Sequence, residues 1–174
     1  MQAYFDTLSS YPILLYVSVA GFALLFGSFF NVVIHRLPKM LEQDWINQSR
    51  EFLQPENERA HAATDEENNR ISLAFPPSSC PQCNHQIRPW ENIPVISYLF
   101  LRGKCSSCRS QISLRYPIIE VVTAVFAVVV IQHFGLNWVG LSALAFSWFL
   151  LVLAAIDFDT QLLPDNLTLP LLWL

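Results

Sequence analysis

With 174 residues, 53% of them hydrophobic and 14% charged, the chain has a mean hydropathy of +0.36. Soluble domains are about one quarter charged, so this composition excludes an ordinary soluble domain. The net charge of −4 says less than the distribution of charge along the chain, and no nucleic-acid partner is expected.

Taken in chain order, the first predicted element is an uncharged run from Ile13 to Phe30, extended by Asn31 to Ile34. It reaches the roughly 20 residues that a helix needs to span a bilayer. It does not read as a signal peptide, because no Lys or Arg precedes it and a basic segment follows. After it comes a polar stretch, Leu41 to Arg70, in which Leu41, Trp45, Phe52 and Leu53 fit one face of a short amphipathic helix. Beyond Pro55, with the acidic run Asp65-Glu66-Glu67, the composition is that of a solvated linker. Apolar runs from Ile118 to Phe134 and from Trp138 to Ile156 predict two further spans, joined by a turn at Gly135-Leu136-Asn137; Leu167 to Leu174 begins a fourth run. No internal repeat of useful length and no Gly-rich phosphate loop is evident.

All ten Lys and Arg residues fall between Arg36 and Arg115. Basic loops stay in the cytoplasm, so the N-terminus is expected outside and Asp157 at the cytoplasmic face. The expected fold class is an all-α polytopic membrane protein with a small zinc-knuckle insertion in the cytoplasm. Residues 1–35 are read as the periplasmic N-terminus and first span, 36–117 as a cytoplasmic loop with its four-cysteine module at 80–108, and 118–174 as the start of a membrane catalytic domain.

Within the loop, Cys80-Pro-Gln-Cys83 and Cys105-Ser-Ser-Cys108 are separated by 21 residues. Each C-x-x-C turn presents two thiolates, and two turns complete a tetrahedral zinc site. Two disulfides and a redox-active thiol pair are the alternatives, although a cytoplasmic loop is kept reducing. A site closed by four thiolates leaves no position for water, so Zn2+ there is structural. His85 competes as a ligand or stands behind the ligands. Trp90, Tyr98 and Phe100 lie either at the membrane interface or on the knuckles.

Carboxylates at the mouth of a span are costly unless they act. Asp157 directly follows the third span and is the first candidate for activating water. Asp159 sits about 200° round the helix from it and reads as solvated. Asp165 follows the helix breaker Pro164 and reads equally as an N-cap or a catalytic group. Glu120 either faces the site or pairs with Arg115.

These segments together resemble a family. Gly27-Ser28-Phe29-Phe30-Asn31-Val32-Val33-Ile34-His35-Arg36-Leu37-Pro38, the two C-x-x-C pairs around Arg88-Pro89-Trp90-Glu91-Asn92-Ile93-Pro94, Arg115-Tyr116-Pro117-Ile118-Ile119-Glu120, and Ile156-Asp157-Phe158-Asp159-Thr160-Gln161-Leu162-Leu163-Pro164-Asp165 are similar to segments of the bacterial type IV prepilin peptidases. The resemblance implies a multi-pass aspartic endopeptidase of the inner membrane that removes the basic leader of prepilins and pseudopilins on the cytoplasmic side. It also implies N-methylation of the new terminus with S-adenosylmethionine. It maps the first catalytic aspartate onto Asp157 and the zinc ligands onto Cys80, Cys83, Cys105 and Cys108. The family's second catalytic aspartate belongs to a Gly-x-Gly-Asp motif, which these 174 residues lack. The chain is therefore expected to be an N-terminal portion that does not cut by itself. The runner-up is a zinc-bearing membrane scaffold for pilus or secretion assembly, and the third reading is a redox-active membrane thiol protein.

Overall fold

The computed structural model describes residues 12–53 and 72–173. The linker reading beyond Pro55, the acidic run at 65–67 and the first eleven residues lie outside them. Among the described residues the fold is helical, with two isolated β-bridges and no strand. In chain order α1 spans Pro12–Leu53, a 3₁₀ turn spans Pro89–Asn92, α2 spans Ile96–Phe100, α3 spans Arg115–Phe134, α4 spans Trp138–Thr160 and α5 spans Asp165–Leu172. Helices α1, α3 and α4 are each long and apolar enough to cross a membrane. The expected all-α membrane architecture is what the structure shows.

The three spans pack in two layers. At one end Ala23, Ala124, Ala127, Val130 and Leu144 meet; at the other Val33, Ile34, Leu37, Ile119, Val152 and Ile156 meet, with Leu167 of α5 against them. Small residues set the closeness of the α1–α3 crossing, as they do where lipid removes the hydrophobic drive between helices. At Gly27 an added Cβ would lie 2.7 Å from the Glu120 Cα, a backbone atom that cannot swing away. Beside this crossing, Trp148 of α4 stacks on Phe26 with ring centroids 4.9 Å apart and donates from Nε1 to the Thr123 carbonyl at 3.3 Å. Large apolar side chains such as Val17, Leu25, Val129 and Leu150 face outward, as lipid as solvent allows.

The α3–α4 connection is as the sequence predicts. Gly135 ends α3 with φ 76°, and the Asn137 side chain accepts the Gly140 N–H at 2.8 Å, a cap that contributes about 1 kcal/mol. The first helix differs from expectation. It runs unbroken for 42 residues, past residue 35 and through Pro38, and absorbs the stretch read as a separate amphipathic helix. A mid-helix proline costs about 3 kcal/mol. The buried side chains of Leu37 on one side of it, and Leu41 packed on the same cluster on the other, offset that cost.

Candidate functional site

The cysteines sit on two like turns. In the first, the Cys80 N–H donates to the His85 carbonyl at 2.9 Å, the Asn84 N–H to the Cys80 carbonyl at 2.9 Å, and Ser79 bridges Gln86. In the second, the Cys105 N–H donates to the Ser110 carbonyl at 2.8 Å, the Arg109 N–H to the Cys105 carbonyl at 3.0 Å, and Lys104 bridges Gln111. The residue after each second cysteine is left-handed, Asn84 at φ 55° and Arg109 at φ 58°. Ser78–Ile87 and Gly103–Ile112 are thus one turn used twice, a repeat that the sequence reading missed. Only the two cysteines, the glutamine and the isoleucine recur at matching positions.

The two turns bring all four sulfurs within 4.8 Å of one another. The Cys80 and Cys108 Sγ atoms are 3.8 Å apart, close to the edge of a tetrahedron whose metal–sulfur bonds are about 2.3 Å. All four cysteines are free, and no disulfide forms among them. The donor set fits a metal ion. Backbone hydrogen bonding at Gln82, then at Cys83 and from Ser110, draws the Cys80 thiol down to about 6. Hydrogen bonding by Ser110, through its side chain first and then its backbone, lowers Cys108. At Cys83 the His85 backbone works to lower the thiol, but burial and the other three sulfurs together push it up to about 11. His85 is not among the four: its Nε2 lies 3.3 Å from Glu91 Oε2, and that carboxylate also accepts the Arg88 N–H at 3.0 Å. The Arg88 backbone, then the Ser106 hydroxyl, hold Glu91 below the usual carboxylate range.

Two charged side chains tie this module to the bundle. Arg36 of α1 donates to the carbonyls of Ser72 at 2.8 Å, Leu73 at 3.3 Å and Pro76 at 2.5 Å. Glu120 of α3 is buried and accepts the Val95 N–H at 2.7 Å. Neither role was read from the sequence, where Arg36 served as a topology marker and as part of the family resemblance, and Glu120 was expected either to face the site or to pair with Arg115. Tyr98 packs on the second turn, its ring over Gly103 and its hydroxyl 3.3 Å from the Ile112 carbonyl, whereas Trp90 and Phe100 face outward.

Asp157 is exposed in the last turn of α4, and among the described residues no hydrogen bond or ion pair engages its side chain. Asp159 is not simply solvated. It pairs with Arg115 at 2.5 Å, while the same guanidinium donates to the Ala155 carbonyl at 3.3 Å. Asp165 is not an N-cap: Pro164 holds that position, and Asp165 is the first residue of α5 with no capping bond. Helix α4 ends at Thr160, and its C-cap Gln161 is left-handed at φ 53°.

A family model described as Bacterial Peptidase A24 N-terminal domain matches residues 22–134. A Stutzerimonas stutzeri protein named prepilin leader peptidase/N-methyltransferase is 50% identical over 169 residues, covering 97% of this chain and 56% of the relative. Proteins of the same name from Pseudomonas aeruginosa and Legionella pneumophila are 48% and 41% identical, covering 97% and 95% of this chain and 56% and 55% of themselves. The chain spans about half the length of these relatives. No solved structure matches.

Proposed function

Because the chain belongs to the bacterial peptidase A24 N-terminal domain family, we propose that it supplies one catalytic carboxylate and the metal module of a prepilin leader peptidase/N-methyltransferase. The observation that carries this reading is the 50% identity, over 97% of the chain, to a protein of that name. The substrates are prepilins and pseudopilins, met at the cytoplasmic face of the bacterial inner membrane with the N-terminus of this chain outside.

Leader removal is hydrolysis of a peptide bond. Asp157, accessible at the end of α4, takes the proton of the attacking water; a second carboxylate protonates the leaving amine. Two groups with separated proton affinities are needed, and these 174 residues contain no Gly-x-Gly-Asp to give the second. Cleavage is expected where that group is supplied, and not from these residues alone. Cys80, Cys83, Cys105 and Cys108 hold Zn2+, which shapes the loop and takes no part in hydrolysis. S-adenosylmethionine, when bound, supplies the methyl group for the new N-terminus.

The test is Asp157→Asn in a polypeptide that joins these residues to a Gly-x-Gly-Asp helix. Leader removal from a prepilin, followed by mass spectrometry in membranes, should fall at least about 10²–10⁴-fold, with zinc content and membrane insertion intact. Retained cleavage would remove Asp157 from the mechanism.

A further inference from the structure

The metal module reaches deeper toward the bilayer than a cytoplasmic loop needs to. The Val95 N–H meets Glu120, which lies five residues into α3 from Arg115, about 7.5 Å along the axis, and inside the apolar run that begins at Ile118. The chain then turns directly into α2. On that short helix Ile96, Leu99 and Phe100 share one face at i, i+3 and i+4, exposed at 50%, 68% and 86%. The opposite side carries Tyr98, which is bonded to the second cysteine turn. Arg102 and Lys104 follow at once, both exposed, and line with Leu114 an open cleft of about 510 Å³ that leads to the start of α3.

We propose that the outer face of α2, with Arg102 and Lys104, is an interfacial anchor that binds anionic phospholipid. Leu99 and Phe100 enter the acyl boundary, and the two cations meet the headgroup phosphates in the cleft. The depth of Val95 puts α2 at the level where interfacial helices bury about 5–10 Å of their apolar side, and the charge beside it complements an anionic leaflet. The proposal rests on the membrane-spanning reading of α1, α3 and α4, not on peptidase activity, so a failure of either leaves the other standing.

The test places an environment-sensitive fluorescent amino acid at Phe100, and separately at Gln82 on the exposed rim of the first cysteine turn, in the whole chain reconstituted in phosphatidylcholine nanodiscs. A small, equal fraction of brominated phosphatidylglycerol or brominated phosphatidylcholine serves as quencher. The Phe100 probe should be quenched and the Gln82 probe spared. Because each cation near an anionic surface enriches it roughly fivefold, the phosphatidylglycerol quencher should act several-fold more strongly than the phosphatidylcholine one at Phe100. Arg102→Gln with Lys104→Gln should abolish that preference while zinc content, measured in parallel, stays the same. Equal quenching at Phe100 and Gln82 would overturn the interfacial placement, whether water or protein covers α2. Quenching at Phe100 alone but without lipid preference would overturn the anionic site.

Discussion

The carboxylate of Glu120, within a membrane-spanning helix, is the acceptor for the backbone N–H of Val95 in the metal module, at 2.7 Å. Val95 presents that N–H from a positive-φ conformation, φ 58° and ψ −45°, which is unfavourable for a β-branched residue. This bond therefore holds a strained turn in place and, with Arg36, fixes the module on the bundle.

Glu120→Ala leaves the Val95 N–H without its acceptor, at a cost of about 1–3 kcal/mol. Glu120→Gln keeps an acceptor oxygen. Hydrogen exchange over residues 93–101 should accelerate in the alanine variant and stay slow in the glutamine variant, with zinc retained in both. Equal protection in all three proteins would show that Glu120 does not secure the module.

Arg115 fastens the end of α4 through Asp159 and the Ala155 carbonyl. The pair is partly exposed, so its coupling energy in a double-mutant cycle of Arg115→Gln and Asp159→Asn should stay at or below about 1 kcal/mol. Its larger effect should be on geometry: wherever Asp157 acts, Arg115→Gln should lower the rate more than Asp159→Asn, because it also frees the α4 carbonyl. Equal losses would contradict that.

The four-sulfur site predicts one zinc per chain in protein purified under reducing conditions. Cys80→Ser should release the metal and lower yield, because the ion supplies folding free energy on the order of 10 kcal/mol in structural thiolate sites. Elemental analysis finding no zinc in the reduced wild-type protein would defeat the assignment.

Glu91 has a proton affinity lowered on folding, first by the Arg88 backbone. A group depressed in this way stabilises the fold above its unfolded value and loses that contribution as pH falls through the lower folded one. Thermal unfolding of wild type and Glu91→Gln should therefore differ at neutral pH, and the gap should close as the pH drops below the ordinary carboxylate value of about 4.3. A gap that stays open well below that value would contradict the bonding at Arg88.

The spans and the turn between α3 and α4 were legible because uncharged runs and the Gly135–Asn137 signals are local properties. The cysteine site was legible for the same reason, since ligand spacing is written along the chain. What stayed hidden was set by distance. The helix continues through Pro38 because Leu37 and Leu41 find Ile119, Ile156 and Leu167, contacts that no local rule about proline contains. Glu120 receives a main-chain N–H, which any residue could offer, so no side-chain pattern announces it. Arg115 chose Asp159 over Glu120 for a similarly non-local reason: it lies beside the end of α4.

The unbroken α1 has a consequence for scale. Forty-two residues rise at most about 63 Å, roughly twice the ~30 Å hydrocarbon thickness. Its last dozen residues, 42–53, run on beyond the cluster that holds Leu37 and Leu41, while Arg36 and Glu120 keep the cysteine module low against the bundle. Molecules that engage the tip of α1 therefore meet the protein about 18 Å beyond Leu41.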